Sequence, residues 1–212
     1  MRNYILLPIF TIFLFSACSF KMPEFLTFSD INYDELLKEA NICQDLDTQK
    51  EKLEYYKKIE NSNSFAQIRL GTYYSTKNDY KESLKYLNMA DENKNLYAKL
   101  PLALLYYKGE GVKKDINKSF ELLKESSDID PIAAFQLSRF YLQGINTKID
   151  NEKGIDLLEF SAQNGVLQAQ ELLSNVYKQG LYGVAKDQIK YEYWLNKANS
   201  NKEDKNSNIY IF

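Results

Sequence analysis

YAKLPLALLYYKGEGVKKDINKSFELLKESS, Tyr97 to Ser127, decides how the rest of the chain reads. Ala98, Leu102, Ala103 and Tyr106 stand at offsets of four, five and eight from the first, one face of an α-helix. Gly109 and Gly111 then break that helix, because glycine turns through positive φ without steric cost. Asp115 restarts it as an N-cap, and Ser119, Leu122, Leu123 and Ser126 form the next small or apolar stripe. The stretch predicts a helix, a glycine-marked turn and a second helix.

The same grammar recurs on both sides. Its signature of small residue, leucine, small residue and tyrosine is Ala66-Leu70-Gly71-Tyr74, then Ala98-Leu102-Ala103-Tyr106, Ala133-Leu137-Ser138-Tyr141 and Ala169-Leu173-Ser174-Tyr177. The leading alanines are 32, 35 and 36 residues apart. Gly109, Gly144 and Gly180 each follow the last three tyrosines by three positions, and capping acids return as Asp79, Asp115, Asp150 and Asp187. Independent marks in one phase over four copies predict a helical solenoid.

These residues resemble the Sel1-like repeats, a branch of the tetratricopeptide superfamily. LALLYYKGEGVKKDINKS and SAQNGVLQAQ (Ser161 to Gln170) carry the likeness, which covers about Ser64 to Asn199. Repeat one departs by using Lys77-Asn78-Asp79 as a shorter turn, and repeat four widens its turn to GLYGVAKD. The resemblance implies an all-α, right-handed superhelical solenoid of antiparallel helix pairs. It has about four repeats over residues 64–199, after an N-terminal helical capping pair over residues 29–63. In that pair Ser29 or Asp30 caps a helix reaching about Cys43, and Gln49 to Glu60 forms the second helix. A tail over residues 200–212 ends in Ile209-Tyr210-Ile211-Phe212, which either docks back on repeat four or serves as a tag read by a partner; docking is the favoured reading.

The N-terminus carries a second resemblance. Met1-Arg2-Asn3 and the apolar run Tyr4 to Phe15 fit a signal peptide, the run being short for a membrane-spanning helix. It leads into Leu14-Phe15-Ser16-Ala17-Cys18, which resembles a bacterial lipobox; the alternative is an ordinary signal peptide with a chance cysteine. The lipobox reading divides the chain into a lipoprotein signal peptide (1–17) and a lipidated tether (18–28). It implies palmitate on Cys18, and Ser19 in place of aspartate implies the outer membrane of a bacterial envelope, facing the periplasm. Cys43 is then the only free thiol of the mature chain and reads as a small buried residue.

Composition removes several chemistries. The net charge is −2, and 24 of 27 cations are lysine, so nothing marks a nucleic-acid footprint. The chain has no histidine, which removes the commonest general base and metal ligand. No phosphate loop, dinucleotide motif or calcium loop is present. The reading is a non-enzyme with no catalytic residues, no metal and no cofactor. Cysteine-rich relatives regarded as β-lactam-hydrolysing carry cysteine pairs in every repeat, and this chain has none to match them.

What remains is a membrane-anchored module that binds a protein or peptide partner. The alternative is an immunity lipoprotein neutralising a secreted phospholipase-type effector, as Sel1-like lipoproteins resembling this one do. In the wider superfamily the first helix of each repeat lines the concave face. Carried onto this chain, the groove positions are Thr72, then Tyr97, Leu100, Leu104 and Tyr107, then Phe135, Arg139 and Leu142, then Glu171, Asn175 and Lys178. Leu100, Leu104 and Leu142 read equally as core between adjacent repeats. Tyr97, Leu104, Tyr107, Phe135, Arg139, Asn175 and Lys178 are the candidate partner-binding residues.

Overall fold

Most helices of this chain begin at a side-chain cap in the computed structural model; those that start after Ala98 and Val166 do not. The structure describes residues 32–201 and 209–212. Cys18, the signal peptide, the tether and the residues Ser29 and Asp30 lie outside them.

Among the described residues ten α-helices run in order: α1 Tyr33–Asn41, α2 Gln49–Ile59, α3 Ser64–Thr76, α4 Tyr80–Glu92, α5 Lys99–Lys108, α6 Ile116–Ser126, α7 Pro131–Gln143, α8 Asn151–Gln163, α9 Leu167–Gln179 and α10 Gln188–Ser200. The described residues contain no strand. Each of α3/α4, α5/α6, α7/α8 and α9/α10 is a closely packed pair, so the chain is an all-α repeat solenoid. Asp79, Asp115, Asp150 and Asp187 each accept from the backbone N–H three residues on, satisfying a donor the helix leaves orphaned. Asp130 caps α7 by accepting from Ile132 N at 2.9 Å, with Pro131 in the first turn. Gly109, Gly144 and Gly180 close α5, α7 and α9 in the left-handed conformation, at φ of 80°, 68° and 73°. In repeat one Asn78 takes that role at φ 59°.

Two details of the first pair differ from the sequence reading. Asn32 caps α1, its side chain accepting from Glu35 N, because it stands immediately before the first helical residue. The helix stops at Asn41, and Ile42–Asp45 tighten into a 3₁₀ turn that buries Cys43. Thr48 and Glu51 form a reciprocal capping box at the start of α2.

The core is three adjoining clusters. The first joins α1–α4 around Tyr56, Phe65 and Ile68; the second joins α4–α8 around Leu102, Leu122 and Leu137; the third joins α7–α10 around Leu158, Leu173 and Trp194. Small residues let paired helices approach. A methyl group on Gly71 would sit 2.5 Å from Leu87 Cγ, and one on Gly154 would sit 2.5 Å from Leu142 Cδ2.

Polar groups tie the modules together. Arg69 is fully buried and donates to Ala40 O (2.6 Å), Tyr56 Oη (3.0 Å) and Asn41 Oδ1 (2.5 Å), fastening α3 to the first pair. Lys99 Nζ lies 2.7 Å from both Asp91 and Glu125, bridging the ends of α4 and α6.

Candidate functional site

The first helices of the pairs, α3, α5 and α7, contribute Thr72, Leu100, Pro101, Leu104, Ile132, Gln136 and Arg139 to one continuous groove. Helical period explains the arrangement. Leu104 stands four residues past Leu100 and Arg139 seven past Ile132, so each pair shares one side of its helix.

Half of the groove is filled by the chain itself. Ile209–Phe212 lies across α3, α5 and the start of α7, not on repeat four as the favoured sequence reading held. The reason lies in burial: the groove offers these four residues an apolar surface. Tyr210 buries its hydroxyl end and donates to Asp130 Oδ2. Thr72 Oγ1 donates to Tyr210 O at 2.9 Å, and Gln44 Nε2 reaches Ile211 O at 3.4 Å. Phe212 stacks on Tyr73 with ring centroids 4.1 Å apart and meets Tyr56 at 5.2 Å. Burial pushes the Asp130 carboxyl up to about 6, against the pull of the Tyr210 hydroxyl and the N–H groups of Ile132 and Ala133. Burial and the neighbouring Asp130 carboxylate hold the Tyr210 phenol well above its usual range.

The other half is open. Leu104, Tyr107, Lys108, Gln136, Arg139 and Phe140 enclose a cleft of about 260 Å³. Leu104 is 36% exposed and Tyr107 37%, both high for large apolar groups. The Tyr107 ring lies 5.8 Å from Phe140, and Lys114 Nζ sits 5.7 Å from its centre on the cation–π side. Arg139 is held by Gln136 at 3.1 Å. The cleft therefore pairs an apolar floor with two lining cations, Arg139 and Lys108, the latter 3.5 Å from Glu110, while Lys114 lies beside it over Tyr107.

Not every predicted groove residue joins it. Tyr97 is half-buried against Tyr33 (5.8 Å) and Phe65 (5.6 Å) and donates to Ile129 O at 3.2 Å, placing it in the packing between the first pair and repeat two. Phe135 packs into the third core cluster with Leu158 and Val166. A solenoid helix is covered on two sides, by its own partner and by the next repeat, so its apolar face is wider than the stripe within one repeat. Leu100 and Leu142 are buried for the same reason, while Leu104 is not. Asn175 accepts from Gln179 at 2.6 Å and Lys178 lies over Tyr191, both on α9 and outside the cleft. Sequence reasoning missed Asp130 and Tyr210 as a pair; their 80-residue separation leaves no local signal.

A family model described as Sel1 repeat matches residues 64–92, 98–129, 131–166 and 167–202. The alginate biosynthesis protein AlgK of Pseudomonas syringae pv. tomato is 29% identical over 102 residues, which are 48% of this chain and 22% of AlgK. This chain thus spans less than a quarter of that relative. The crystal structure of a Sel1 repeat protein from Oxalobacter formigenes superposes with a TM-score of 0.69 at 24% identity, over 80% of this chain and 71% of that one, a likeness of fold. That of c5321, described as a protective antigen present in uropathogenic Escherichia coli strains displaying an SLR fold, gives 0.60 at 28% identity over 72% and 34%.

Proposed function

Because the chain belongs to the Sel1 repeat family, whose repeats mediate protein–protein interaction, we propose that it is a binding scaffold held at a bacterial membrane through an acylated Cys18. It takes a protein or peptide partner along the groove of its first helices. The observation that carries this reading is the open cleft: Leu104 and Tyr107 expose apolar surface beside Arg139, with unfilled volume between them. Exposed aromatic and arginine side chains around a pocket are what binding hot spots are made of. The cations at the margin favour a partner segment in which an apolar side chain is flanked by carboxylate.

Membrane attachment rests on the lipobox-like Leu14 to Cys18. The relative and the two solved structures named above come from bacteria, which supports a bacterial signal there. No helix among the described residues is long and apolar enough to cross a membrane. Two acyl chains on Cys18 supply a stable anchor, and Ser19 directs the protein to the outer membrane, facing the periplasm.

The test is a crosslinked pull-down with the lipidated protein in its native host, read by mass spectrometry. Tyr107→Ala with Arg139→Ala should weaken the captured partner by more than about 2 kcal/mol, a hot-spot loss, with little change in thermal midpoint. A folded double variant that binds normally overturns the assignment of the cleft.

A further inference from the structure

Four residues of this chain already behave as a ligand of the groove. Ile209–Phe212 pairs with no strand and belongs to no helix pair. The groove holds these residues in two ways. Thr72 and Gln44 donate to the carbonyls of Tyr210 and Ile211, groups that any peptide carries, so these bonds do not read sequence. The Tyr210 hydroxyl on Asp130, and the Phe212 ring between Tyr73 and Tyr56, do read it. Asp130 is 1% exposed at the end of the groove, so a phenol reaching it meets a desolvated acceptor, whereas phenylalanine would leave that carboxylate with one partner fewer.

The fit is incomplete at one position. Ile211 is 49% exposed, and beside it Thr72, Leu100, Pro101, Leu104 and Ile132 border a cleft of about 280 Å³ that the isoleucine does not fill. Leu104 belongs to this cleft and to the open one beyond it, so the filled and open halves are continuous. Resting on the reading of the groove as a peptide-binding surface, we propose that Ile209–Phe212 is a resident and displaceable occupant. The partner it yields to presents its own segment of aliphatic residue, tyrosine, large apolar residue and aromatic residue to the same contacts. A side chain larger than isoleucine at the third position gains the unfilled apolar surface, which is where a partner outcompetes the resident. The resident holds an advantage of its own: as part of the same chain it binds as an intramolecular ligand, without the cost of bringing two molecules together. The groove is then closed to weak ligands and open to those that improve on it.

The experiment uses the full chain and a fluorescent peptide, Ser-Asn-Ile-Tyr-Ile-Phe, blocked at both ends so that no terminal charge contributes. In the variant Tyr210→Ala with Phe212→Ala the peptide should bind at least tenfold tighter than to the native chain. Tyr210→Phe, which removes one hydroxyl and keeps the ring, guards against misfolding and should give a smaller gain in the same direction. A peptide with Trp in place of its third apolar residue (Ile-Tyr-Trp-Phe) should bind several-fold tighter than the native one, and Ile-Phe-Ile-Phe several-fold weaker. The partner captured in the native host should be recovered more fully by the emptied variant and be competed away by free peptide. Equal peptide affinity for native and emptied chains overturns the proposal. So does capture indifferent to emptying and to peptide, which makes the segment a structural strut. Dimers that exchange the segment between two copies, detected by light scattering, also overturn it. If capture depends on Tyr107 and Arg139 yet ignores the peptide, the scaffold reading stands and this inference alone fails.

Discussion

Gly71→Ala sets two well-known effects against each other at one atom. In mid-helix, alanine in place of glycine should stabilise by about 1 kcal/mol, through helix propensity and a less flexible unfolded chain. Here the added carbon would lie 2.5 Å from Leu87 Cγ, 2.6 Å from Leu87 Cδ2 and 3.2 Å from Ser83 O. Leu87 is fully buried, with Leu100 and Leu102 in the same cluster, so it has no free space to move into. Ser83 O belongs to the backbone of α4, so relief there means separating α3 from α4. Overpacking of this kind costs roughly 1–3 kcal/mol. The clash should win, leaving a net loss of up to about 2 kcal/mol after the propensity gain. At about 2–4 °C per kcal/mol for a chain of this size, the thermal midpoint should fall by several degrees. Urea denaturation of native, Gly71→Ala, Leu87→Ala and the double variant completes a thermodynamic cycle. Leu87→Ala alone costs about 2–5 kcal/mol as a cavity, and the added methyl should recover part of it in the double variant. A single Gly71→Ala protein that melts higher than native, with no coupling to position 87, would refute the close approach of α3 and α4.

Three further outcomes are expected. Arg69→Leu strips three acceptors of a buried cation and should cost about 3–5 kcal/mol; amides of α1 should exchange much faster, and unchanged protection there would mean the first pair is held by packing alone. Asp130 has its carboxyl raised in the fold to about 6, with Tyr210 and Tyr97 the titrating groups facing it, so the folded state binds its proton more tightly than the unfolded chain does. Its contribution is then unfavourable by roughly 3 kcal/mol above pH 6 and is relieved as pH falls from there toward the usual carboxylate range; the thermal midpoint should rise from pH 7.5 to 5 in native protein and respond less in Asp130→Asn, and equal profiles would contradict the burial argument. Cys18→Ser should leave an unprocessed precursor or release the protein from membranes, and a native host that never incorporates labelled palmitate at Cys18 would remove the anchor.

How much was legible before the structure follows from the range of each interaction. The caps at Asp79, Asp115, Asp150 and Asp187 bond three residues away, and the glycines after α5, α7 and α9 act through their own φ. Such local chemistry leaves a periodic trace, so the repeat fold could be read from the chain. The small positions Gly71, Ala103, Ser138 and Ser174 were marked by the repeat signature and all are buried, and at Gly71 the close approach of α3 and α4 is explicit. Orientation between repeats left no such trace. Phe135 and Tyr97 flank the core stripe just as Tyr107 does, yet the first two pack into core clusters, whereas Tyr107 meets only the edge of the next repeat through Phe140 and stays 37% exposed. In the sequence Asp130 merely precedes a proline and Arg69 is one of three arginines, so neither stood out. Each acquired its role from a partner 80 or 29 residues away, brought close by stacking of whole modules. By itself the sequence determined the helices, their turns and their pairing, because those depend on neighbours within one repeat. The tertiary structure decided which flanking side chains remain open, and that Ile209–Phe212 lies in the groove and not on repeat four, because burial of a surface depends on every module that reaches it.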